Sequence, residues 1–172
     1  MIKIALTGGI GSGKSYVARQ MEQTLGIPVY DSDREARRLM EESSQLRKSL
    51  SELTGIQLYD RQGRLKREEF AEWLFSSQEN TDKVNAIVHP AVIEDFLKWT
   101  EGQTSTVVAI ESALVKESGI DRVVDKVIRV DAPLETRICR AMARDKATRE
   151  QIMARIDRQT EYPDPDIIIN NY

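Results

Sequence analysis

An α/β fold, with a parallel sheet flanked by helices, is predicted by three features of this sequence. Short apolar runs alternate with stretches of helical periodicity, a glycine-rich turn separates the first run from the first helix, and a long helical segment interrupts the alternation after the second run. Strands separated by helices pair in parallel through crossover connections, so both faces of the sheet are expected to be covered.

Ile2 to Leu6 reads as a fully buried first strand. Tyr16 to Leu25 places Val17, Ala18, Met21 and Leu25 on one helical face, and Gly26 supplies the stop. Ile27 to Tyr30 is a second short strand, ended by Asp31-Ser32-Asp33. From Arg34 to about Thr100 the spacing is helical: Ala36, Leu39 and Met40, then Leu46, Leu50 and Leu53, then Phe70, Trp73 and Leu74, then Val92, Phe96 and Leu97. Gly55, the turn Asp60-Arg61-Gln62-Gly63 and His89-Pro90 are expected to punctuate it. This stretch is too long for a simple crossover, so it reads as an inserted subdomain. Val107 to Ile110, Val127 to Val130 and Ile167 to Ile169 complete five strands.

A chain of 172 residues is about one domain, since domains commonly run ~100–200 residues. Forty per cent hydrophobic and 31% charged residues are near the globular averages and argue against disorder. With 25 basic against 28 acidic side chains, net −3, bulk positive charge offers no basis for nucleic-acid or anionic-membrane binding. One cysteine, Cys139, closes no intrachain disulfide, and the apolar run at the amino terminus is too short for a signal peptide or a membrane span. The expectation is a soluble, cytoplasmic protein.

The sharpest motif is Gly8-Gly9-Ile10-Gly11-Ser12-Gly13-Lys14-Ser15: glycine, four residues, glycine, lysine and serine between a strand and a helix. Such a phosphate loop turns backbone N–H groups inward around phosphate oxygens, backed by the positive end of the following helix. Lys14 places a cation near the outer phosphates, and Ser15 is a ligand for Mg²⁺. A glycine-rich turn with no ligand is the bland alternative, and the complete pattern in its context argues for a bound nucleoside triphosphate.

Asp31 and Asp33 lie just beyond the second strand, at the edge where open parallel sheets bind ligands. A carboxylate there is suited to accept a substrate hydroxyl's proton during in-line attack on a γ-phosphate, and helix capping by Ser32 or Asp33 is the competing role. Val107-Val108-Ala109-Ile110-Glu111 is four apolar residues followed by an acid, which places Glu111 beside the nucleotide's metal. The second such tract, before Asp131, is interrupted by Arg129, so Asp131 reads as a strand-end or capping residue.

Arg137, Arg140 and Arg144 are spaced by three and four on the next helix, so their guanidiniums share a face for which triphosphate is the natural partner. Arg155 and Arg158 are candidates for the same clamp, and a solvated charged face is the alternative. Cys139, Trp73 and Trp99 read as packing residues, and His89 as structural.

Taken together the residues resemble the dephospho-CoA kinase family. Leu6-Thr7-Gly8-Gly9-Ile10-Gly11-Ser12-Gly13-Lys14-Ser15 with Val29-Tyr30-Asp31-Ser32-Asp33 is similar to its leading motif and its Asp-x-Asp. The likeness runs on through Gly63-Arg64-Leu65-Lys66-Arg67, Asn85-Ala86-Ile87-Val88-His89-Pro90, Glu117-Ser118-Gly119 and Val130-Asp131-Ala132-Pro133, with Arg140, Arg144-Asp145, Gln159 and Asn171.

The resemblance implies a P-loop NTPase-type core, similar to nucleoside monophosphate kinases, that phosphorylates the ribose 3′-hydroxyl of dephospho-CoA with ATP and Mg²⁺. It implies a core over 1–33, 103–134 and 160–172, a helical CoA-substrate-binding subdomain over 34–102, and a lid over 135–159. Asp33, Lys14 and Arg140 would be catalytic, and Gly9, Ile10, Gly11, Ser12, Gly13, Lys14, Ser15 and Arg144 would hold the nucleotide. Thr7, Asp33, Arg67 and His89 would face the acceptor, and Ser15 and Glu111 the metal. A monomer or weak homo-oligomer is expected, with neither nucleic acid nor membrane as partner.

The chain departs from the family pattern in three places. Ala113-Leu114-Val115-Lys116-Glu117 stands where Pro-Leu-Leu-Phe-Glu is common, and Tyr172 stands where a glycine usually follows the terminal asparagine. Family members normally continue through another helix, where adenine-side contacts and part of the sheet packing are expected. The alternatives are a kinase for a nucleoside monophosphate or shikimate-like acceptor, or a nucleotide switch without phosphotransfer. A guanine-reading Asn-Lys-x-Asp segment is absent, which counts against a GTPase.

Overall fold

The computed structural model describes residues 1–172, in two compact units: Met1–Asp31 with Gly102–Tyr172, and Ser32–Glu101. The first unit is built on a five-stranded parallel sheet in the order β2-β3-β1-β4-β5. Its strands are β1 (Ile2–Thr7), β2 (Val29–Asp31), β3 (Val107–Glu111), β4 (Lys126–Asp131) and β5 (Ile167–Asn170). Helix α1 (Lys14–Leu25) lays Ala18 and Met21 onto Leu6, Val29, Ala109, Ile128 and Val130, the apolar core of one sheet face. Each large side chain fully buried there stabilises the fold by about 1.5–3 kcal/mol.

Two expectations about the sheet are corrected. β1 is buried only from Ala5 onward, and Ile2 is half exposed, because the α1 core reaches no farther along the strand than Leu6 and Ile4. The sheet is not covered throughout: β5 is an edge strand on which Ile167 and Ile168 are exposed and Ile169 alone joins the α1 core.

The second unit holds α2 (Ser32–Glu42), α3 (Ser44–Thr54), α4 (Arg67–Phe75) and α5 (Gln78–Glu101). Val84, Val88, Val92 and Phe96 recur every four residues of α5 and form one buried stripe, which is the 3.6-residue period at work. Pro90 lies inside this helix, so the expected break at His89-Pro90 does not occur. An interior proline removes one backbone bond at a cost of about 3 kcal/mol, and the buried stripe on both sides of it outweighs that. Phe96 and Trp99 stack with centroids 6.1 Å apart, a packing role as expected, and the turn at Asp60 closes through Gly63 N–H to the Asp60 carbonyl at 3.0 Å.

Back in the first unit, α6 (Val115–Ser118) and a 3₁₀ turn (Ile120–Arg122) lead into β4. Helices α7 (Leu134–Asp145) and α8 (Arg149–Asp157) then pair around Ile138, Ala141 and Ile152. A capping box starts α8: the Thr148 hydroxyl accepts from Gln151 N–H, and the Gln151 side chain accepts from Thr148 N–H. Cys139, expected as a packing residue, is exposed on α7, because the buried positions of that helix are Arg137, Ile138 and Ala141.

Candidate active site

Parallel strands bring their carboxyl ends to one edge, so Thr7 of β1, Asp31 of β2, Glu111 of β3 and Asp131 of β4 end their strands together, with Asp31 and Glu111 in register. Thr7 is buried, and the loop that follows it turns directly into α1. Within the loop Ser12 N–H donates to the Gly9 carbonyl at 3.0 Å, and Tyr16 and Val17 N–H both donate to the Gly13 carbonyl. Gly13 has φ 89°, and a Cβ there would meet the Asn171 side-chain amide, so no other residue fits without strain. No acidic residue lies in the first turn of α1 and no side chain caps it, which leaves its positive end to an anion.

Lys14 Nζ lies 2.5 Å from Glu111 Oε1, and Ser15 Oγ donates to the same oxygen at 2.7 Å. One carboxylate from β3 therefore gathers the lysine and the serine of the loop. Arg140 reaches the loop from α7: its Nη1 donates to the Asn171 carbonyl at 3.0 Å and to the Ser12 carbonyl at 3.4 Å. Asn171 Nδ2 also donates to the Ser12 carbonyl, at 3.0 Å.

Arg137 departs from the shared face expected for the three arginines. It is buried, with Nε donating to the Ile10 carbonyl and Nη1 to Glu161, both at 3.0 Å. Ile10 N–H donates to Gln159 Oε1 at 2.8 Å, and the Ile10 side chain packs against the α7–α8 cluster. Arg144 is exposed and bonds Asp145 at 2.7 Å, and Arg155 bonds the same carboxylate at 3.0 Å. The Arg144 guanidinium holds the Asp145 carboxyl below the usual aspartate range, with Arg155 adding to the effect. Arg129, which interrupts the apolar run of β4, bonds Asp131 at 2.9 Å and the Tyr162 carbonyl at 2.8 Å.

The phosphate loop, Lys14, Ser15, Glu111 and Arg140 thus converge within the first unit. Asp33, Arg67 and His89 belong to the second unit. Asp33 is exposed in the first turn of α2, Arg67 begins α4 and bonds Glu41 at 3.2 Å, and His89 is half-buried in the middle of α5. Sequence reasoning assigned no role to Glu161 or Gln159. Both act by meeting Ile10 or Arg137 over separations of 24 to 149 residues, which no local pattern encodes.

The family model described as dephospho-CoA kinase matches residues 2–171. The chain is 47% identical over 156 residues to a dephospho-CoA kinase of Porphyromonas gingivalis, covering 91% of this chain and 76% of that one. It is 42% identical over 159 residues to one of Bacteroides fragilis, covering 92% and 77%. The crystal structure of TT1252 from Thermus thermophilus superposes with a TM-score of 0.83 at 32% identity, covering 99% of this chain and 88% of that one. A shikimate kinase from Bacteroides thetaiotaomicron, at 16% identity and a TM-score of 0.54 over 98% and 85% of the two chains, shares the fold. With one family model accounting for nearly every residue, and relatives this similar over nine-tenths of its length, the chain belongs to the dephospho-CoA kinase family.

Proposed function

We propose that this chain phosphorylates the ribose 3′-hydroxyl of dephospho-CoA, with Asp33 receiving the hydroxyl proton and the phosphate loop, Lys14 and Arg140 holding the phosphates of ATP. Membership of the family makes it a kinase of coenzyme A biosynthesis that uses ATP. The site assignment is carried by one observation: Lys14 and Ser15 of the loop meet the strand-end acid Glu111 at a single oxygen.

In this reading the loop from Gly9 to Gly13 and the start of α1 cradle the phosphates; Ile10, expected to hold the nucleotide, has its N–H on Gln159 and its carbonyl on Arg137 and shapes the loop instead, and Lys14 turns from Glu111 to the outer phosphates. As the 3′-oxygen bonds to the γ-phosphorus, the bond to the ADP oxygen breaks and the hydroxyl proton passes to Asp33. Asp33 takes this role from its match to the second acid of the family's Asp-x-Asp. Arg140, already on the loop, offsets charge on that group. Mg²⁺ fits the donor set, since Ser15 Oγ and the Glu111 carboxylate are hard oxygen ligands that converge; these two residues would hold it. Held there, it would supply positive charge to offset that of the phosphate oxygens.

Residues 34–102 then serve as the acceptor-binding subdomain, with Arg67, His89 and Thr7 on the acceptor side, and 135–159 as the lid. Arg144, near the C-terminal end of α7, reaches the nucleotide by leaving Asp145. A cytoplasmic enzyme, monomeric or weakly self-associating, completes the reading, its localisation supported by the small water-soluble substrates; no helix is long and apolar enough to cross a membrane. The test is a coupled ADP assay with dephospho-CoA, shikimate and nucleoside monophosphates in parallel. Turnover confined to dephospho-CoA is expected, and ADP formed equally fast without any acceptor overturns the reading.

A further inference from the structure

We infer that Arg137 and Gln159 are positioning residues for ATP, gripping the backbone of Ile10 from two directions so that the phosphate loop keeps the shape that receives phosphate. The inference rests on the reading that this loop holds ATP. The phosphate-loop pattern requires glycine at its first and sixth positions only, which are Gly8 and Gly13. Gly9 and Gly11 are therefore unexplained by phosphate binding alone. The structure supplies their reason: a Cβ at Gly9 would run into the Arg137 guanidinium, and one at Gly11 into the Arg137 backbone carbonyl. Gly11 also has φ 75°, which a side chain rarely adopts. These two glycines make room for α7 against the loop.

Arg137 is 8% exposed, an unusual place for an arginine unless its donors are engaged. Nε is engaged by the Ile10 carbonyl and Nη1 by Glu161, while Gln159 takes the Ile10 N–H at 2.8 Å. Both backbone groups of one loop residue are thus committed to side chains 127 and 149 residues away. The Ile10 side chain is seated against Ile138, Ala141 and Ile152, so the crest of the loop is fastened to α7–α8 by packing as well. A loop fixed in this way does not reorganise when the nucleotide arrives, and binding is tighter for it.

The experiment measures ATP and dephospho-CoA affinity by calorimetry for the wild type, Arg137→Met, Arg137→Lys, Gln159→Leu and the Arg137→Met/Gln159→Leu double variant, each first shown folded by its melting curve. Arg137→Met and Gln159→Leu are each expected to weaken ATP about tenfold and leave dephospho-CoA affinity unchanged. Arg137→Lys, which keeps one donor for the Ile10 carbonyl, recovers part of the loss. The double variant falls short of the product of the singles, because both side chains act on one residue. If Arg137→Met does not fold, Gln159→Leu decides. Wild-type ATP affinity in the folded variants, or equal loss for both ligands, overturns the inference; a wild type that binds no ATP overturns instead the reading of the loop itself.

Discussion

Glu111 and Lys14 hold one another at 2.5 Å, with about 10% and 15% of their side chains exposed. The lysine proposed for the phosphates is thereby kept in place and neutralised by the acid proposed for the metal. Replacing Glu111 with Gln keeps the shape and removes the charge. Turnover is expected to fall ~10–100-fold, equal to about 1.4–2.7 kcal/mol in the barrier, with half-saturation moved to higher Mg²⁺. A Mg²⁺ titration at fixed ATP checks this, and an unmoved half-saturation point removes Glu111 from the metal site.

Asp33→Asn retains size and polarity but accepts no proton. ATP affinity should stay within about threefold while turnover drops by ~10²–10⁴. Calorimetry with ATP and the coupled assay separate the two effects. Undiminished turnover assigns the proton elsewhere.

The Thr148 hydroxyl satisfies the Gln151 N–H at the start of α8, and both halves of the capping box are present. Thr148→Ala should destabilise the fold by about 1 kcal/mol, and Thr148→Ser should restore most of it. Urea unfolding of the three proteins provides the measurement. Equal midpoints would mean that solvent satisfies the Gln151 N–H as well as threonine does.

Acid should weaken the fold through Asp166, which joins β4 to the start of β5. Its bond from Lys126 and then the Val127 N–H hold its carboxyl below the usual 3.8. A group whose folded pKa is depressed adds stability above its unfolded value, and that stability is lost as pH falls through the folded one. Urea midpoints should therefore drop as the pH falls through 3.8 and below it, and Asp166→Asn should flatten this decline. An identical acid limb in the variant would show that the strand pair is held by other means.

Much of this architecture was readable from local chemistry. Five apolar runs, glycine at 26 after the first helix and the glycine–lysine–serine loop each follow from spacing that one element imposes on itself. Glu111 was readable too, because four apolar residues before an acid fix it at a strand end. Long-range contacts were not. Arg137 has the same spacing as Arg140 and Arg144, yet one is buried, one touches the loop and one is exposed, depending on Ile10, Asn171 and Asp145 respectively. Pro90 misled for the converse reason, since its local preference was overridden by the buried stripe of α5.

Cys139 is the sole thiol of the chain and projects from α7 next to Arg140. A maleimide dye or nitroxide reacts there and nowhere else, with no engineering of other cysteines. The unaltered protein thus offers a spectroscopic reporter on the helix that bears Arg140. Nucleotide binding at the loop which that helix grips becomes directly observable by fluorescence or electron paramagnetic resonance.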